Sequence, residues 1–228
     1  MSVVLFQGSG LTALMYAASE GHLEICQLLI DRGCKIDITE TFRGTALMLA
    51  ARDGHLEICR LLIDRGCKID ITNGRGWTAL MFAAYGGHLE ICKLLIDRGC
   101  KIDTTDGDGQ TALMRAADRG HLEICRLLID RGCKIDITDR DGYTALHWAA
   151  QWGYLQITRC LVEQGGASPL VTTHQKYLKR LDTKQRKPLT KQTVEVFEKD
   201  LTQSKETTKQ KQTVEVFEKD LTQSKENH

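Results

Sequence analysis

The sequence predicts an all-α repeat fold, a solenoid in which helix-turn-helix units stack on one another. A TAL motif recurs every 33 residues, at Thr12, Thr45, Thr78, Thr111 and Thr144. Each copy is followed by a GHLEIC-type segment and, in the first four units, by LLIDRGCKID. Because a fixed period of this length is typical of repeat architectures, we expect neighbouring units to share one continuous core.

The first helix of each unit is predicted from local signals. In the first unit, Thr12 can cap the helix by accepting a backbone N–H two or three residues later. Leu14, Ala17 and Ala18 then form one apolar face at helical spacing. Gly21 is expected to end this helix and to reverse the chain.

The second helix is predicted to begin after His22, with Glu24 in its first turn, where the helix dipole favours a carboxylate. Its apolar residues cover too wide a face for burial on one side only, so it must be covered on two sides. Gly33 follows the last turn, and an extended finger with a turn leads to Gly44. The unit is therefore a finger, a helix, a turn and a helix, and only stacking can bury it.

The repeated pattern G-x-T-A-L-M/H-x-A-A-x-x-G-H-L-E-I-C-x-L-L-I-D-R-G-C-K-I-D resembles the ankyrin repeat. The resemblance covers five units and implies β-hairpin-like fingers between the helix pairs. The proline that usually follows the Thr is Ala in every unit, and the usual His is Met in four units and remains only as His147. The second unit carries Arg43 where other fingers carry Gly, so we expect that finger to be distorted.

The predicted organisation is a repeat domain at 1–170, with repeats starting near 8, 41, 74, 107 and 140, followed by a basic linker and duplicated tail at 171–228. The second helix of the fifth repeat is more polar than the second helices of the other repeats and is interpreted as a C-terminal cap. At the other end, either residues 3–6 cover the apolar first repeat or the chain is a fragment of a longer array.

The tail contains KQTVEVFEKDLTQSKE twice, at 191–206 and 211–226. Val194, Phe197 and Leu201 have the spacing of a short amphipathic helix, whereas TVEVF also alternates as a strand does. Three apolar residues per copy cannot form a core, so the tail is expected to be helical only in part.

The net charge of +1 excludes the strong general attraction that nucleic-acid binders use, and no apolar run is long enough to cross a membrane. The opening MSVVLF lacks the basic region and length of a signal peptide. We therefore expect neither a nucleic-acid partner nor a membrane, and a cytoplasmic location. A nuclear location is a weaker alternative that rests on the basic stretch Lys176 to Lys187.

Nine cysteines cannot all pair within one chain, and without an export signal they are expected to be free thiols. His22 and Cys26 are four residues apart on a helix, as metal ligands can be, and the pair recurs in later units. Each unit offers only two such ligands, whereas a metal site needs three or four, so Cys26 is interpreted as a small core residue. We expect no metal, no cofactor and no enzymatic activity.

The near-identical units differ from one another at a few positions. In ankyrin repeats those positions line the concave face that binds partner proteins. Aromatic and Arg side chains are enriched there, as they are in binding hot spots. For Phe82 and Trp148 an alternative is packing between repeats. The resemblance implies a partner-binding groove formed by Phe42, Arg52, Arg75, Trp77, Tyr85, Asp108, Gln110, Arg115, Asp118, Arg119, Arg140, Asp141, Tyr143, Trp148 and Trp152.

The function predicted from the sequence is a non-enzymatic scaffold or adaptor that binds an unidentified protein through this groove. The alternative is that the duplicated tail mediates self-association or inhibits the groove.

Overall fold

A computed structural model of the chain describes residues 11–168, and in that range the chain forms five successive helix pairs. The predicted all-α repeat is confirmed. The tail helices and the expected cover at residues 3–6 lie outside the described residues. The first helices of the pairs are α1 (Ala13–Ser19), α3 (Ala46–Asp53), α5 (Ala79–Gly86), α7 (Ala112–Arg119) and α9 (Ala145–Trp152). The second helices are α2 (Leu23–Asp31), α4 (Leu56–Asp64), α6 (Leu89–Asp97), α8 (Leu122–Asp130) and α10 (Leu155–Arg159).

The first helices begin at threonine caps, as predicted. The Thr45 hydroxyl accepts the Met48 N–H at 3.3 Å, and the same bond forms at Thr12, Thr78 and Thr111. In the last pair, the Thr144 N–H donates to Nδ1 of His147 at 3.1 Å. Satisfying these otherwise unpaired backbone donors is what lets helices of only seven or eight residues form.

The core runs through the stack and lies between neighbouring pairs. α3 packs against α1 on one side and α5 on the other, and the second helices follow the same order. Ala50, Ala83 and Ala116 are fully buried, so their small side chains let the first helices approach closely. Leu62 and Leu95 are fully buried in the second helices. No helix among residues 11–168 is long and apolar enough to cross a membrane.

Three polar contacts join each of the middle repeats to the one before it, and we call them the junction contacts. His55 Nε2 lies 2.9 Å from the Ser19 carbonyl oxygen, and Arg65 donates to Asp31 at 2.6 Å. The Lys68 N–H donates to the Asp37 carboxylate at 3.0 Å. The same set recurs in the next two repeats. Exposed ion pairs contribute about 0–1 kcal/mol each, so apolar burial supplies most of the stability.

The second finger differs from the later ones, as the sequence predicted. In the third, fourth and fifth fingers, the side chain of Asn73, Asp106 or Asp139 accepts the backbone N–H groups two and four residues later. In the second finger, the Glu40 carboxylate instead accepts the N–H groups two and three residues later, and Gly44 forms an antiparallel bridge with Glu40. Arg43 therefore projects from a turn in which the later fingers have glycine.

The last pair ends differently. α10 stops at Arg159 and continues as a π-helical turn over Cys160–Gln164. The Thr158 hydroxyl donates to the Tyr154 carbonyl at 3.1 Å, and such back-bonding bends helices. Gln156, Arg159 and Glu163 are exposed on this final segment.

All nine cysteines lie in the described range and are free thiols. Burial raises the pKa of the Cys59 thiol to about 12, and the pKa of Cys92 is raised in the same way.

We expect iodoacetamide at pH 8 to alkylate half-buried Cys34 at least tenfold faster than Cys92, since the reaction needs both solvent access and the thiolate form. Mass spectrometry of timed samples measures both rates. Equal rates in the folded protein would contradict the assigned burial, and in urea all nine should react.

Candidate functional site

One side of the stack is lined by the fingers and by the first helices. Two clefts lie next to each other there, with volumes of about 260 and 470 Å³. Arg75 and Trp77 border both clefts. The smaller one, which we call the arginine cleft, is lined by Phe42, Arg43, Arg52, Asn73, Arg75, Trp77 and Phe82. The larger one is lined by Arg75, Trp77, Gly107, Asp108 and Arg115.

Trp77 is the centre of an aromatic cluster between the clefts. Its ring centroid lies 4.9 Å from that of Phe82 and 5.5 Å from that of Tyr85. The Arg115 guanidinium lies 4.1 Å above the Trp77 ring, and Arg119 lies 4.0 Å above the Tyr85 ring. These cation–π contacts join the third and fourth repeats and hold both rings in place.

Asp106 anchors the arginine that covers Trp77. Its carboxylate is 1% exposed and pairs with Arg115, whose side chain is 15% exposed. The same carboxylate accepts the N–H groups of Asp108 and Gln110, both at 2.9 Å. Because the buried carboxylate has a cation and two donors, the desolvation of its charge is compensated and the fourth finger is fixed to α7.

The two ends of this face carry further polar contacts. Arg52 donates to Asp53 at 2.7 Å and to the Ser19 hydroxyl at 3.1 Å. Burial works to raise the pKa of the Asp53 carboxyl, but hydrogen bonds from Arg52 and Ser19 outweigh it, so the pKa is lowered. At the other end, Trp152 is 41% exposed, and its indole N–H donates to Asp118 at 2.7 Å.

A family model of ankyrin repeats (three copies) matches residues 14–106 and 99–173. The chain belongs to the ankyrin repeat family. A comparison with curated proteins found no match. Ankyrin repeats are generally protein–protein interaction modules, and the family is typically non-enzymatic.

Most of the residues predicted for the ankyrin groove are at least partly open to solvent. Phe42 is 64% exposed, and Arg75, Asp108, Arg140 and Asp141 are exposed on the fingers. The remaining ones are half-buried, apart from exposed Arg119 and Trp152 and buried Tyr143 and Trp148, and several of them make contacts that join repeats. Gln110, for example, donates to Asp139 at 3.2 Å.

Tyr143 and Trp148 are the two buried members of the predicted groove. They are only 7% and 9% exposed. Their ring centroids are 5.5 Å apart, so each ring packs against the other. Trp148 belongs to the core and packs against Tyr143 of the same repeat, which favours the packing role considered from the sequence over direct contact with a partner.

The predicted groove omitted Arg43 and Asn73, which line the arginine cleft. They do so together with Phe82, for which the sequence left open a place in the groove or packing between repeats. The signal for Arg43 was present, since it replaces the glycine of the other fingers and so adds a side chain that they lack. Asn73 caps its own finger, and its side-chain amide also donates to the Phe42 carbonyl at 2.6 Å. Phe82 packs on the core and borders the cleft at the same time.

The histidine and cysteine pairs of the repeats contribute to the packing of the stack. His55, His88 and His121 contact a carbonyl of the preceding repeat. Cys59 and Cys92, which follow the first two of them, are fully buried in the core. Within residues 11–168, no group of three or more His, Cys, Asp or Glu residues is placed to hold a metal ion.

Proposed function

We propose that this ankyrin repeat protein is a non-enzymatic adaptor that binds a partner protein through its concave groove, with Trp77 at the centre of the contact. The observation that carries the proposal is the Trp77 cluster. Large rings and guanidinium groups, the side chains that dominate hot spots, are brought together beside two open clefts.

The cluster favours binding because its side chains are already ordered. Tyr85 and Trp77 are each held under an arginine, and Arg115 is held by Asp106. Immobilising a free side chain on binding opposes association by about 0.5–1.5 kcal/mol. A surface whose anchors are fixed before the partner arrives avoids most of that loss.

The groove is long enough for an extended segment or for the face of a folded domain. Candidate contacts run from Phe42 in the second repeat to Trp152 in the fifth. Packed helices are spaced by about 8–10 Å, so three repeat steps cover roughly 25–30 Å. This length accommodates the anchors of one partner without requiring a deep pocket.

Trp77→Ala is expected to weaken the affinity of a purified partner by about 2 kcal/mol or more, roughly thirtyfold. The partner would be isolated by affinity purification with the full chain, and its affinity measured by titration. The control is Leu28→Ala, which removes an exposed apolar side chain from α2, away from the clefts. Thermal melts establish that both variants are folded. A partner that binds the wild type, Trp77→Ala and Trp152→Ala equally would overturn the groove assignment.

We also propose a cytoplasmic location. The free thiols support it, since such a cysteine-rich chain keeps its thiols in a reducing compartment. Imaging of a fluorescent fusion in intact cells tests it, and a secreted or exclusively nuclear signal would contradict it.

A further inference from the structure

The arginine cleft is cationic and aromatic. Three arginines border it, together with Phe42, Trp77 and Phe82, and its lining contains no carboxylate. Arg52 is paired with Asp53, whereas Arg43 and Arg75 form no ion pair with any residue in the range 11–168. Such a cleft is complementary to a carboxylate beside an apolar or aromatic side chain, because guanidinium groups bind carboxylates with charge-assisted hydrogen bonds.

The chain contains a segment with this chemistry outside the described residues. The sequence VEVFEKD at 194–200 places Glu195, Glu198 and Asp200 among two valines and Phe197, with Lys199 as its only cation. An identical copy occupies 214–220. The segment therefore carries acidic residues next to apolar ones, which is the combination that the cleft would accept.

We propose that the acidic segment 194–200, for which the copy at 214–220 is an equivalent occupant, docks in the arginine cleft of its own molecule and competes with the partner. This inference rests on the proposed function in one respect, that the cleft belongs to the partner-binding groove. Glu195 and Glu198 pair with Arg43 and Arg75, and Phe197 packs against the ring of Trp77 or Phe42.

The length of the intervening chain permits this contact. Residues 169–193 lie between the end of the fifth repeat and the segment, and extended they would span up to about 85 Å. The path from the fifth repeat back to the third or second requires two or three steps, about 20–30 Å in all.

Because the segment belongs to the same chain as the cleft, a weak contact is sufficient to keep the cleft occupied. A segment tethered by a short linker has an effective concentration of order millimolar at its site. An intrinsic dissociation constant of about 0.1 mM would then leave the cleft about 90% occupied and weaken a competing ligand about tenfold.

The first experiment is photocrosslinking in the full chain, with benzoylphenylalanine in place of Phe197. Benzoylphenylalanine keeps an aromatic ring at the position and reacts with what it touches. We expect crosslinks within one molecule to residues 40–85, located by mass spectrometry. Crosslinks to the outer helices, or no crosslink from position 197 or from the equivalent Phe217 position, would overturn the proposal. Crosslinked dimers would overturn it too, since the occupant would then be a second copy.

The second experiment measures binding of a fluorescent peptide, residues 191–206, to the full chain. Glu195→Lys combined with Glu215→Lys should free the cleft, so the peptide should bind about tenfold tighter than to the wild type. The matched control, Glu206→Lys with Glu226→Lys, changes the net charge by the same amount outside the segment and should leave the affinity unchanged. Adding Arg75→Glu to the first variant should abolish peptide binding. Equal peptide affinity for the two charge-reversed chains would contradict the proposal.

Failure of this inference is distinguishable from failure of the proposed function. If the tail does not dock, Trp77→Ala still weakens the partner. If the groove does not bind partners, the crosslinks and the peptide affinities still report the tail.

Discussion

Gly87→Ala is expected to lower the free energy of unfolding by about 3 kcal/mol, although it adds a single methyl group. Gly87 ends α5 with a φ of 83°, a left-handed value that opposes a side chain by about 1–2 kcal/mol. A Cβ there would also lie 2.6 Å from Cε1 of His121. The imidazole would have to move away from the Tyr85 carbonyl, from which its Nε2 lies 3.1 Å, and one junction contact would be lost.

Gly99→Ala is the matched control for this effect. Its φ is 82°, and a Cβ there meets no atom within 4 Å. It should therefore lose only the backbone contribution, about 1–2 kcal/mol. Urea denaturation followed by circular dichroism gives both values, provided that a single transition is seen. Equal losses for the two variants would show that the histidine contact adds nothing to stability.

Asp106→Ala is expected to reduce the free energy of unfolding by a similar amount, about 3 kcal/mol. The change removes the only ion-pair partner that Arg115 has among the described residues and leaves a mostly buried guanidinium. It also deprives the Asp108 and Gln110 N–H groups of their acceptor. The fourth finger should loosen, and Arg115 should lose its fixed position over Trp77, so affinity for a groove partner should fall as well.

Asp106→Asn separates the two contributions. Asn73, at the same position one repeat earlier, accepts the corresponding N–H groups with its amide oxygen. The Asp106→Asn variant should therefore keep the finger and lose only the charge, at a loss of about 1 kcal/mol. Urea denaturation of both variants measures this difference. An Asp106→Asn variant as unstable as Asp106→Ala would mean that the ion pair with Arg115, and not the hydrogen bonds of the finger, supplies the stability.

The fold was predictable because its signals are local. The Thr45 cap depends on a residue three positions away, and the left-handed Gly54 depends on its own backbone. Both can be read from one repeat. The distorted second finger was also predictable, because Arg43 and Gly44 break a pattern that the other units share.

The candidate site was predictable in position but not in contacts. Arg115 reaches Trp77 from 38 residues away in sequence, and Trp152 reaches Asp118 from 34. Those pairs depend on the side-chain rotamers of two repeats at once, and a repeat pattern does not specify rotamers. The burial of Tyr143 was not predictable either, although it arises within one repeat, because it depends on the rotamer that places the Trp148 ring against it.

The junction contacts have a consequence for how such a protein can change. They use the His, Asp, Arg and Lys positions that are the same in successive repeats, and two of the three involve the outer, second-helix side. The residues of the arginine cleft and the Trp77 cluster occupy other positions, which differ from repeat to repeat. The contacts that hold the stack together and the candidate binding residues thus occupy largely different positions of the same 33-residue unit. A new specificity can arise by altering the second set while the junction contacts between repeats stay intact.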